Sequence, residues 1–206
     1  MGWTELNTHL KLAFQIYSIC YLALPAQAAD LSPLDGSDAA KPPVLRSDPS
    51  SYELRLGAYA HDPLSPEKGP VDLNGEVLLA KFNCFPAQTW GALIPRPHFG
   101  GTIDFDGKTS NLYTGLTWTF NLDQNVFVEG SFGEAVNDGK IGPMQDVPHG
   151  HNAMGCNWSF HETASVGYRL DEDWSVMSTI EHYSNAGICV ENRGLTNYGL
   201  RIGRRF

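Results

Sequence analysis

Apolar and polar residues alternate with a period of two through most of the chain beyond residue 50, and turn-forming residues divide that alternation into eight segments. The segments are 52–60, 72–82, 97–105, 111–121, 124–133, 159–169, 173–184 and 195–206. The fourth places Leu112, Thr114, Leu116, Trp118 and Phe120 on one face. The sixth groups Phe160, Ala164, Val166, Tyr168 and Leu170. The seventh groups Trp174, Val176 and Ile180 with His182 and Ser184, and the eighth groups Thr196, Tyr198, Leu200, Ile202 and Phe206. The opposite faces are small or polar, as in Ser175, Thr179 and Glu181 or Asn197, Gly199, Arg201 and Gly203. Strands of about 10 residues cross a bilayer at a tilt, and an even number brings both chain ends to one side. The pattern predicts an all-β fold, an eight-stranded antiparallel transmembrane β-barrel over residues 51–206. A soluble up-and-down barrel of lipocalin type shares the period but turns its apolar faces inward. Apolar faces this long, backed by glycine-rich polar ones, favour the membrane arrangement.

Turn lengths alternate too. Residues 121–125 (NLDQN) and 170–173 (LDED) are tight, whereas 61–71, 134–158 and 185–194 are long. Short turns belong on the periplasmic side and long loops outside. Residues 83–96 break the rule, being long where a short turn is expected, and contain Pro86 and Pro95.

The first residues follow a different pattern. An apolar stretch at 12–24, preceded by Lys11 and followed by Ala26-Gln27-Ala28, has the form of a secretory signal peptide cut after Ala28, with Ala29 as the alternative. Residues 29–50 are rich in Pro, Ser, Asp and Ala without apolar period and read as a flexible arm. Export places the remaining cysteines in an oxidising compartment.

Charge narrows the partners. Fourteen Lys+Arg against 23 Asp+Glu give a net charge of −9, which excludes nucleic acid, since phosphate binding needs a basic stripe. No apolar run reaches the roughly 20 residues of a transmembrane helix. There is no P-loop, dinucleotide fingerprint or paired-cysteine zinc motif, so no cofactor is expected.

Candidate chemistry lies at the end of the seventh segment, which reads Glu181-His182-Tyr183-Ser184-Asn185-Ala186-Gly187. Residues two apart on a strand point the same way, so His182 and Ser184 share a face. An imidazole beside a hydroxyl can take its proton as the oxygen attacks an acyl carbon, and an amide such as that of Asn185 can donate to the developing oxyanion. H-x-S alone is a weak signal. Its position strengthens it, because polar and ionisable groups on a lipid face are costly and mark function. Such a nucleophile meets the acyl esters of membrane lipids.

The stretch His182-Tyr183-Ser184-Asn185-Ala186-Gly187, followed by Asn192-Arg193-Gly194-Leu195 and a closing strand to Phe206, resembles the lipid A 3-O-deacylase (PagL-type) family of outer-membrane enzymes. Arg96-Pro97-His98-Phe99-Gly100-Gly101 and Gly115-Leu116-Thr117-Trp118-Thr119-Phe120 add to the likeness, which spans roughly 52–206. The resemblance implies an outer-membrane esterase that releases the ester-linked 3-O acyl chain of lipid A in lipopolysaccharide. It implies Ser184 as nucleophile, His182 as base, Asn185 as oxyanion contributor, and no metal. One position departs: the family's acidic residue falls at Thr196, where a hydroxyl cannot stabilise an imidazolium as a carboxylate does. Pairing arithmetic offers a substitute. If residue 170 faces 174 across the tight turn, His182 opposes Glu162, an acid on an otherwise apolar face, which we expect to orient the imidazole. Glu191 is a weaker candidate, and Glu181 faces the lumen.

Cys156 precedes the sixth segment and Cys189 follows the seventh, so a disulfide between them is geometrically reasonable. Cys20 leaves with the signal. Cys84 is left unpaired or joined to a second chain, which keeps a homodimer open. His149, His151 and Asp146 suggest zinc, but no further ligand has suitable spacing, and their loop reads as a surface lid over substrate. The alternative function is a non-catalytic barrel of the same family whose loops bind lipopolysaccharide or host surfaces, a reading kept open by Thr196.

Overall fold

The computed structural model describes residues 51–81 and 93–206. The expectations for the leader, the N-terminal arm and Cys84 concern residues outside these. Eight strands follow one another: β1 (Glu53–Ala60), β2 (Val71–Leu78), β3 (Arg96–Ile103), β4 (Asn111–Asn121), β5 (Val126–Asn137), β6 (Trp158–Arg169), β7 (Trp174–Ser184) and β8 (Leu195–Arg205). Each is antiparallel to its neighbours, and β1 pairs with β8 to close the barrel. The predicted all-β, eight-stranded fold is the one observed. Among the described residues, no helix is long and apolar enough to cross a membrane. The largest boundary differences are four residues: β2 stops at Leu78 against the predicted 82, and β5 runs past the predicted 133 because Glu134–Asn137 pair with Asn111–Thr114.

Closure satisfies the backbone without an open edge, the condition for crossing a hydrocarbon layer. At the seam, the Phe206 N–H donates to the Tyr52 carbonyl at 3.0 Å. Two Asx turns set the tight connections. Asp123 Oδ1 accepts from the N–H groups of Asn125 and Val126, both at 2.7 Å. Asp171 Oδ1 does the same for Asp173 and Trp174, at 2.8 and 2.7 Å. These turns and both barrel termini lie at one end, and the loops 61–70, 104–110, 138–157 and 185–194 lie at the other.

The alternation separates two environments. The outer wall presents exposed apolar residues such as Leu56, Leu73, Leu112, Val166 and Leu200. The inner wall is polar, buried and ionic. Arg55 reaches Glu53 and Glu129 at 2.7 Å each and Glu76 at 3.3 Å; Arg96 meets Glu53 at 2.7 Å and Arg201 meets Glu76 at 3.0 Å. Further along the lumen, His161 is stacked between Tyr113 and Tyr183, with ring centroids 4.0 and 4.7 Å away. A membrane barrel inverts the water-soluble rule: its lipid solvent is apolar, so polar groups go inward and must pair with one another.

Long loops close the far end. Asn152 donates through Nδ2 to Asp62 at 2.6 Å and to the Gly194 carbonyl at 3.1 Å. Met154 joins the buried apolar cluster of Tyr113, Ala135, Tyr183 and Leu195. The 138–157 loop, expected to cover substrate, therefore puts its Asn152–Met154 segment into the barrel mouth. The Cys156–Cys189 disulfide is present, with a Cα–Cα distance of 6.1 Å, and ties this loop to 185–194. Closing a loop of that length stabilises by about 3–4 kcal/mol in the chain-entropy account.

Candidate active site

His182 and Ser184 project from the last turn of pleat in β7 onto the outer wall, both half-buried. From Trp174 to Ser184 the strand rises about 33 Å, or roughly 25 Å along the normal at the usual tilt, which matches the apolar band of such barrels. Trp174 thus marks one membrane interface and Ser184 the other. Aromatic rings agree: Phe160 opposes Ser184, Phe132 opposes Glu162, and Trp158, Phe160 and Phe132 pack as one patch with centroid distances of 4.6 and 5.7 Å. Such rings mark the level where headgroups meet acyl chains.

The register puts Glu162, His182 and Thr196 in one row across β6, β7 and β8. Glu162 opposes His182 as the pairing arithmetic requires. The bond to the imidazole, however, comes from the other side, where His182 Nδ1 and Thr196 Oγ1 are 2.8 Å apart. The Glu162 Oε2 atom is buried without a hydrogen-bond partner. With Nδ1 engaged, Nε2 is the nitrogen free to face a nucleophile. Among the described residues, no hydrogen bond joins His182 to Ser184. Such a loose arrangement is common before substrate binds.

Two features hold the row in place. Gly194 adopts φ +68°, and a Cβ there would lie 2.9 Å from the Tyr183 carbonyl and 3.3 Å from His182 Cε1, so only glycine leaves room beside the ring. The Thr196 N–H donates to Asp62 Oδ1 at 3.1 Å, and the Asp62 N–H donates to Asn197 Oδ1 at 3.0 Å. Asp62 itself sits at φ 34°. This clamp on the start of β8 is invisible in the sequence, because residues 62 and 196 come together only when β1 closes on β8.

Asn185 is placed otherwise than its expected oxyanion role requires. Its Nδ2 donates to the Met154 and Glu191 carbonyls at 2.8 and 2.7 Å, and its Oδ1 accepts from Gly187 N–H at 2.9 Å. Both amide hydrogens are committed to main-chain carbonyls, so the side chain builds the 185–194 loop and has none to offer an oxyanion. Ala186 and Gly187 follow with φ of 52° and 77°. The Glu191 carboxylate accepts from Met144 N–H at 3.1 Å, and Glu181 faces the lumen, accepting from Asn197 Nδ2 at 2.9 Å. His149 and Asp146 are exposed, while His151 turns inward toward Glu67, 3.6 Å away.

Comparison with known proteins bears on the whole assembly. The family model for lipid A 3-O-deacylase (PagL) matches residues 82–205. The crystal structure of the outer membrane enzyme PagL superposes with a TM-score of 0.53 at 19% identity, covering 75% of this chain and 98% of that one. The N-terminal β-barrel domain of Pseudomonas aeruginosa OprF gives 0.50 at 13% identity, covering 76% and 98%. At these identities the likeness to solved structures shows the barrel alone. No curated protein matches the sequence. The family match spans more than half of the chain, with the H-x-S-N-A-G stretch and β8 inside it. This chain therefore belongs to the lipid A 3-O-deacylase (PagL) family of outer-membrane β-barrels.

Proposed function

We propose that this protein is an outer-membrane serine esterase that removes the ester-linked 3-O acyl chain from lipid A, with Ser184 as nucleophile and His182 as general base. The carrying observation is placement: an imidazole with Nδ1 bonded to Thr196 and a serine share the lipid-facing wall at the aromatic belt, where the ester of a membrane lipid lies.

The chemistry follows from that geometry. Ser184 Oγ attacks the ester carbon as its proton passes to His182 Nε2. The tetrahedral adduct collapses, the sugar oxygen leaves, and the imidazolium returns the proton to it. Water then attacks the acyl-serine with His182 again as base, releasing the fatty acid and restoring Ser184. Thr196 fixes the ring by its bond to Nδ1. Glu162 supplies the negative charge beside the imidazolium from the opposite strand. Further down the same wall, a groove of about 800 Å3 lined by Leu56, Val166, Val176, Ser178, Leu200 and Ile202 offers a bed for the acyl chain.

Mass spectrometry of lipid A from cells expressing the protein tests this reading. Loss of one acyl chain that is abolished by Ser184→Ala, with the barrel still heat-modifiable on gels, supports it. Unaltered lipid A with the folded native protein present leaves instead the non-catalytic barrel whose loops bind lipopolysaccharide.

A further inference from the structure

We propose that His61, Asp72 and Asp104 form a binding site for a first-row divalent transition-metal ion at the long-loop mouth of the barrel lumen, with Glu67 as the carboxylate that orients the histidine. The three residues come from the end of β1, the start of β2 and the residue after β3. The β2–β3 register ends with Leu73 opposite Ile103, so Asp72 and Asp104 oppose each other one step further on. One ligand atom from each of the three lies within 4.8 Å of the others, and all three residues are buried.

Two carboxylate oxygens there have no partner. Asp72 Oδ1 and Asp104 Oδ2 are each buried without a hydrogen bond, in residues only 0% and 8% exposed. Their other oxygens are occupied: Asp72 Oδ2 by His61 Nδ1 at 2.7 Å and Asn197 Nδ2 at 3.3 Å, and Asp104 Oδ1 by the N–H groups of Asp106 and Lys108. A buried carboxylate oxygen without a donor costs free energy unless a cation or proton meets it. Three carboxylates, Glu67, Asp72 and Asp104, surround one imidazole. Among the described residues, their ion-pair partners are histidines alone, with no lysine or arginine.

The surroundings match those of a metal-binding histidine. His61 Nε2 meets Glu67 Oε2 at 3.0 Å and Nδ1 meets Asp72 Oδ2 at 2.7 Å, so a metal that takes Nδ1 leaves the Nε2–H donated to Glu67. Glu67 is itself held by Thr109 Oγ1 at 3.1 Å and by Asn152 N–H at 2.8 Å. An ion there replaces the proton between His61 and Asp72 and neutralises the excess carboxylate charge. One nitrogen and two carboxylates suit zinc or manganese, whereas calcium takes oxygen ligands throughout. Bound metal would join the 61–70 loop to the 104–110 loop, and through Glu67 and Asn152 to the loop at 138–157.

The test uses the full-length protein in detergent, stripped with EDTA, incubated with ZnCl2 or MnCl2 and passed through gel filtration. Elemental analysis is expected to find one ion per chain, and the thermal midpoint is expected to rise with the metal. Asp104→Asn and His61→Gln preserve shape and are expected to abolish both effects while the barrel stays heat-modifiable. Glu67→Gln is expected to weaken binding by on the order of 10–100-fold. A folded native protein that retains no ion overturns the proposal. Stoichiometric binding that survives Asp104→Asn overturns it as well, since the ion then lies elsewhere.

Discussion

At the scale of single residues, the unusual feature is a hydroxyl, not a carboxylate, bonded to the imidazole. Thr196 bonds His182 Nδ1 at 2.8 Å, so the ring is oriented without a charge on that side. A carboxylate stabilises the imidazolium formed during attack, and a hydroxyl does so far less. Thr196→Glu is therefore expected to raise kcat for fatty-acid release, and Thr196→Val to lower it by roughly tenfold, the worth of one hydrogen bond of about 1.4 kcal/mol. Glu162→Gln removes the only acid directly opposed to His182, and kcat is expected to fall while KM holds. Deacylase activity unchanged in Glu162→Gln removes Glu162 from the mechanism. That Ser184, His182 and Glu162 share the outer face was legible in the sequence because a strand's period fixes which residues share a face. The bond from Thr196 was not, because it depends on which side of the ring β8 presents. Asn185 was misplaced for a similar reason: its partners, the Met154 and Glu191 carbonyls, belong to loops without any period.

At the scale of elements, the tight turns repeat one device, an aspartate whose side chain takes two successive N–H groups. The N–H groups of Val126 and then Asn125 hold the exposed Asp123 carboxyl below its ordinary 3.8. A lowered folded value means the contribution to stability is present above that pH and fades as the pH falls through the folded value. Urea unfolding in detergent is expected to show Asp123→Asn losing stability near neutrality, and the difference from the native protein narrowing below pH 3.8. The short turns were readable as Asp-containing clusters between periodic segments. The long loops were readable only as long. Their interior position, with Asn152 and Met154 filling the barrel mouth, follows from tertiary contacts with Asp62, Glu67 and Tyr183.

At the scale of the molecule, a bilayer outside and an ionic lumen inside share one sheet. Arg201 is buried and bonded to Glu76, Thr179 and Ser165. Removing it leaves Glu76 with Arg55 at 3.3 Å, so Arg201→Met is expected to destabilise the barrel by about 1–3 kcal/mol, read as a lower heat-modification temperature. The sequence by itself determined the strand count, the two faces, the end of the barrel that carries His182 and Ser184, and the disulfide. All of these follow from a period of two and from the order of turns, which are local. Only the tertiary structure decided which residues meet across the closure. Closure brings Asp62 against β8, and the pairing of β1, β2 and β3 brings His61, Asp72 and Asp104 together at their loop ends. No periodicity records such meetings, because they depend on how the sheet shears and closes and on where irregular loops fall.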